Sequence, residues 1–141
     1  MSHRMLFVAA LLVGCSVAAV AQQTEIKHVP LARTSASSGH EMFASYCSAC
    51  HGKDGTGAGP AASALKEPPA DLTVLSKNNG GKFPAAHVSA VLNGGVKAPA
   101  HGNKEMPVWG PIFWQTSQGH TGEVQLRVAN LTKYVESLQV K

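Results

Sequence analysis

Cysteine, aromatic residues and charge are all scarce in this chain of 141 residues, with 3 Cys, 6% aromatic and 14% charged residues. Three cysteines cannot form the multi-bridge framework that holds small secreted scaffolds together. Lys+Arg number 12 against 8 Asp+Glu. The basic residues Lys53, Lys66, Lys77, Lys82, Lys97 and Lys104 are scattered and form no run. That argues against nucleic-acid binding and leaves at most a mildly basic docking face. No apolar run reaches the ~20 residues of a membrane helix. No convincing strand pattern and no internal repeat can be found. Ser, His and carboxylates are dispersed, so no nucleophile–base constellation presents itself. The length suits one domain.

The N-terminus reads as an export signal over residues 1–21. His3 and Arg4 form a short basic start, Met5 to Val13 is unbroken apolar sequence, and Ala19-Val20-Ala21 offers a small-x-small cleavage site. A second processing reading stands beside it. Leu12-Val13-Gly14-Cys15 resembles a lipobox, which would make Cys15 a lipid anchor. Both readings export the domain. Cleavage at Ala21 removes Arg4 alone among the basic residues and leaves Cys47 and Cys50 as the only thiols. Residues 22–37 are polar, mixed and aperiodic, as expected of an extended tether. The ordered domain is expected over 38–141.

Those two cysteines stand in Cys47-Ser48-Ala49-Cys50-His51. This is C-x-x-C-H, the attachment signature of a c-type haem. Each sulfur can add to one vinyl group, and the spacing holds the sulfurs about as far apart as the vinyls. The imidazole of His51 then reaches the iron from one face. At this Cys and His content, chance supplies roughly 0.003 such matches. With both thiols spent, the haem becomes the staple of a small domain.

The pattern around the motif is helical. Ser38-Gly39-His40-Glu41 fits a capping box, and Gly39, Phe43 and Tyr46/Cys47 follow at helical spacing, so the first helix runs into the motif. Gly52 to Pro60 is a glycine-rich loop, and Ala61 to Leu65 can form one turn. Glu67 to Gly81 reads as irregular, broken by Pro68-Pro69 and Asn78-Asn79-Gly80-Gly81. Pro84 to Leu92 reads as a short helix with Pro84 in its first position and Asn93-Gly94-Gly95 as the stop. Val96 to Val108 is a loop, and Pro111 can open a short helix through Phe113 and Trp114. The last helix is clearest: Thr121 or Gly122 caps it, and Val124, Val128, Leu131, Val135 and Leu138 recur at helical steps. Gly39 and Phe43 are expected to receive it, with Tyr134 or Leu138 packing there.

The residues then suggest a ligand set. His51 is the proximal ligand, and the carbonyl of Pro60 is the candidate acceptor for its other ring N–H. Of the methionines left after signal removal, Met42 lies in the helix feeding the motif, poorly placed to cross to the far face. Met106 sits far along the chain in Lys104-Glu105-Met106-Pro107-Val108-Trp109, on a loop able to wrap over the haem. Met106 is therefore the candidate sixth ligand, which would close the iron to exogenous ligands. Bis-histidine ligation through His40, His87, His101 or His120 is the competing arrangement. Trp109 is a candidate donor from its indole N–H to a haem propionate, and Trp114 reads as a core or haem-wall aromatic. The glycines of Gly55-Thr56-Gly57-Ala58-Gly59 lack a preceding strand and a following Gly-Lys-Ser/Thr, so close approach to a flat cofactor explains them better than a phosphate cradle.

Together these elements resemble a small bacterial class I cytochrome c over residues 38–139. A Gly-x-x-x-Phe helix leads to Cys-x-x-Cys-His; a Gly-Pro loop, a middle helix, Met-Pro-x-Trp and an amphipathic last helix with Tyr134 follow in the family's order. The resemblance implies an all-α, monohaem fold with long loops, in which the N- and C-terminal helices cross. It makes Cys47 and Cys50 thioether anchors, His51 and Met106 axial ligands to iron, and Pro60 their proximal support. It implies a monomeric one-electron carrier, not an enzyme, in the bacterial periplasm or tethered there as a lipoprotein. Its expected partners are redox proteins such as a quinol-oxidising complex, a terminal oxidase or a dehydrogenase. The alternative within this reading is a dedicated cytochrome subunit of an oxidoreductase complex. Readings of other classes are a haem gas sensor or peroxidase with an open sixth site, and a thiol–disulfide oxidoreductase using Cys47 and Cys50.

Overall fold

A computed structural model of the chain describes residues 31–95 and 106–140. The expected signal, the lipobox at Cys15 and His101 all lie outside the described residues. Those described contain six α-helices and no strand: α1 (Gly39–Tyr46), α2 (Ser48–His51), α3 (Leu75–Asn78), α4 (Ala85–Asn93), α5 (Trp109–Thr116) and α6 (Thr121–Ser137). Two 3₁₀ turns, Ala62–Ala64 and Leu72–Val74, punctuate the loops. The all-α expectation holds.

α1 starts where Ser38 accepts a hydrogen bond from the Glu41 N–H at 3.1 Å. The other half of the expected capping box differs. The Glu41 carboxylate accepts from the Ser35 N–H at 3.2 Å, which ties the preceding segment to the helix. α1 then packs across α6. Gly39 is the point of closest approach: a Cβ there would strike the Asn130 carbonyl oxygen and lie 2.8 Å from Tyr134 Cβ. The missing side chain is thus a requirement of the crossing. One turn on, Phe43 meets the Tyr134 ring at 5.2 Å. The expected packing of Tyr134 is observed, whereas Leu138 reaches toward Gly55 instead.

Residues 31–36 are no tether. Thr34 is buried, and its hydroxyl accepts from Arg127 Nη1 at 3.1 Å and pairs with the Tyr46 hydroxyl at 2.9 Å. Tyr46 donates in turn to the Ala32 carbonyl, and Asn130 Nδ2 donates to the Ala36 carbonyl at 2.9 Å. The expectation of an extended tether through Ser37 is therefore corrected for these residues. Their polar composition serves a hydrogen-bonded strap over α1 and α6.

The middle of the chain is more ordered than its breakers suggest. Asp71 accepts from the Thr73 N–H at 2.8 Å and from the Thr73 hydroxyl at 2.6 Å, starting the Leu72–Val74 turn that leads into α3. The tail of the chain holds this segment. Gln139 accepts from the Ser76 N–H and donates to the Leu72 carbonyl, while the Val140 N–H bonds Thr73 O at 2.9 Å. α4 follows Pro84, which stands at its N-cap, one place earlier than expected, and ends on Gly94 at φ 76°. α5 starts at Trp109, two residues before Pro111. His120 is the N-cap position of α6, with Thr121 its first residue.

A candidate haem-binding cleft

The chemistry-bearing motif closes one wall of an apolar cleft. The cleft opens to solvent at its mouth. Cys47 and His51 line one side with Phe43; Leu72 and Leu75 form the floor segment held by the chain tail. α4 supplies His87, Val88, Val91 and Leu92, and α6 supplies Leu131 and Val135. Met106 joins this lining. Motif cysteine, motif histidine and the one methionine picked out as far-side ligand thus face a single cavity.

α2 is a single turn, and its exposed carbonyls need partners. The glycine-rich loop provides them. Gly57 N–H bonds the His51 carbonyl at 2.8 Å, Gly59 N–H that of Cys50 at 3.0 Å and Ala61 N–H that of Ala49 at 2.8 Å. A Cβ at Gly59 would strike the Ala49 carbonyl oxygen and lie 2.6 Å from the Cys50 carbonyl carbon. Gly57, at φ 86°, would place a Cβ 2.5 Å from the Pro69 carbonyl oxygen. Gly59 therefore serves close backbone packing against the motif, and Gly57 against the Pro69 segment.

That packing positions the partner of His51. Its Nδ1 lies 3.0 Å from the Ala70 carbonyl oxygen, leaving Nε2 to face the cleft. The acceptor is Ala70, and the expected role of the Pro60 carbonyl is corrected: Pro60 is exposed, and the segment brought over the ring is the one after Pro69. Pro68-Pro69 was read only as a breaker, yet the register of Gly57 against Pro69 delivers Ala70. Burial holds the His51 pKa below its usual value, although the Ala70 carbonyl works in the opposite direction. The neutral imidazole, with a lone pair for a metal, is favoured. Burial also pushes the Cys47 thiol up to about 12, with the nearby Cys50 sulfur adding to the effect. Cys50 is half-buried.

Trp109 is corrected too. It does not line the cleft but is buried in an aromatic stack, with its ring 5.1 Å from Tyr46 and 5.6 Å from Phe113. Trp114 is half-exposed on the outer face of α5, not a cleft wall. Met42 is fully buried in the core and absent from the lining, consistent with its rejection as a ligand. His40 stands edge-on to Tyr134, and His120 contacts the Ser117 carbonyl through Nδ1 at 2.7 Å. Among the described histidines only His51 and His87 reach the cleft.

Sequence reasoning missed Arg127. It is buried between α5 and α6, donating to Ser117, Thr34 and the Glu123 carboxylate, the last through Nη2 at 2.7 Å.

The donor set fits a haem: the Cys47 thiol, the oriented imidazole of His51 and the Met106 thioether share one apolar cavity, and Cys50 stands at attachment spacing from Cys47. Residues 36–139 match the Cytochrome c family. The chain belongs to the cytochrome c family. Its domain is accordingly a haem-binding electron-transfer domain, of a family that carries haem c covalently. Comparison with curated proteins and with solved structures gives no match. No described helix is long and apolar enough to cross a membrane.

Proposed function

We propose that this cytochrome c is a one-electron carrier with one haem attached through Cys47 and Cys50 and ligated by His51 and Met106. The observation that carries the reading is that His51 and Met106 line the same apolar cleft as Cys47. The haem supplies an iron that cycles between Fe(III) and Fe(II). The protein's part is to hold that site still. The Ala70 carbonyl fixes the tautomer and orientation of His51, raising its basicity as a ligand. The Met106 thioether would hold the iron from the other side-chain position in the cleft and would favour its reduced state. The apolar walls from α4 and α6 exclude water, and ligands held by the protein would leave little to rearrange on electron transfer.

Export to the bacterial periplasm, by signal cleavage or as a lipoprotein through Cys15, accords with the compartment in which such haems are attached. Its partners would be redox proteins of a respiratory or dehydrogenase chain, met by diffusion or within a complex. Expression with c-haem maturation machinery tests the reading. Haem should stay with the chain through denaturation, and the spectrum of the reduced protein should be unchanged by CO. Met106→Ala should lower the reduction potential. A haem-free, redox-active dithiol would sink the reading, and ready CO binding by the unaltered protein would replace the carrier with a sensor or peroxidase. Cys50→Ala should lower the yield of stably attached haem; an unchanged yield would contradict two thioether anchors.

A further inference from the structure

The cleft holds one metal-ligating side chain that the carrier reading leaves unused. His87 lies in the first turn of α4 and lines the same cavity as Met106 while remaining largely exposed, which places it at the mouth. It stands on a different helix from His51. α2 packs on α1 and on the Ala62–Ala64 turn, whereas α4 packs on α5 and α6. An imidazole suits iron as well as a thioether does.

We propose that His87 is a second axial donor on the Met106 side, taking the sixth position whenever Met106 leaves it. The inference rests on the carrier reading, in which Met106 is the resident ligand. Its consequence is a site that stays closed in both ligation states. With His87 in place the iron carries two imidazoles, which lack the potential-raising thioether. Small ligands such as CO or peroxide then meet an occupied position instead of open iron. Exchange needs no electron: the thioether leaves and the imidazole enters.

The test uses the haem-loaded full chain as H87A, M106A and M106A/H87A, read by ferric EPR, by absorption in both redox states and by CO titration. H87A alone should keep the low-spin spectrum and the potential of the unaltered protein. M106A should remain low-spin, with the ferric signature of two imidazoles. M106A/H87A should turn high-spin and bind CO at least about tenfold more tightly than M106A, because an occupant present nine-tenths of the time lowers apparent affinity by that factor. M106L and M106L/H87A, of nearly conserved volume, provide the same comparison if the alanine variants fail to accumulate. An M106A protein that is already high-spin, with CO affinity equal to the double variant, overturns the proposal and leaves Met106 as ligand. A double variant that stays low-spin overturns it in favour of another donor. Loss of the low-spin state in H87A alone makes His87 the resident ligand, and then the Met106 assignment fails with the proposal.

Discussion

A single carbonyl decides how His51 is held. The Ala70 oxygen lies 3.0 Å from Nδ1, and its position depends on Gly57 meeting Pro69 without a side chain between them. Gly59 acts likewise against the backbone of α2. Gly59→Ala is therefore expected to destabilise the haem-loaded protein by about 1–3 kcal/mol, as overpacking commonly does. The urea midpoint checks this; an unchanged midpoint would mean that the loop has slack that its hydrogen bonds do not suggest. The motif residues, their order and the need for a proximal acceptor were all legible in the sequence. Which carbonyl answers that need was not, because Pro60 and Ala70 are both compatible with the loop's composition. Only the register of Gly57 and Gly59 against the chain separates them.

Helices here are short, and their crossings matter more than their lengths. The apolar stripe of α6 predicted the packing surface, and Gly39 and Tyr134 meet as that stripe requires. Gly39→Ala must push α6 away at the Asn130 carbonyl, so it should cost about 1–3 kcal/mol by overpacking, read as a lower urea midpoint at unchanged slope. α5 and α6 are also joined through Arg127. The hydrogen bond from Arg127 is the main reason the Glu123 carboxyl sits below the usual carboxylate range. A carboxyl depressed in the folded state contributes stability above its unfolded pKa and loses that contribution as pH falls through the lower folded value. Glu123→Gln should therefore reduce stability at neutral pH and flatten its decline in acid. Urea midpoints measured from neutral pH downward, for both proteins, check this. Parallel curves would show that Glu123 makes no such contribution. Arg127 lay beyond the pattern reading, since a buried cation flanking a helical stripe cannot be told from a solvated one by spacing.

At the scale of the whole domain, the ends of the described chain close the structure. The strap at 31–36 bonds α1 and α6, and Gln139 with Val140 clamps the 72–76 segment that forms part of the cleft. A chain begun at Ser38 should unfold at a lower temperature than one begun at Leu31, because Arg127 and Asn130 lose buried partners, each hydrogen bond being worth about 1 kcal/mol. Equal melting temperatures of the two haem-loaded proteins would return the strap to the status of a tether. The sequence on its own determined the cofactor class and the all-α class, since attachment spacing and the helical stripe are local, periodic signals. The tertiary structure alone decided that Ala70 supports His51, that Trp109 belongs to a core stack, that residues 31–36 are fastened and that His87 shares a cavity with Met106. Each of these depends on segments distant in sequence meeting in close contact, and close packing selects such meetings where residue pattern cannot.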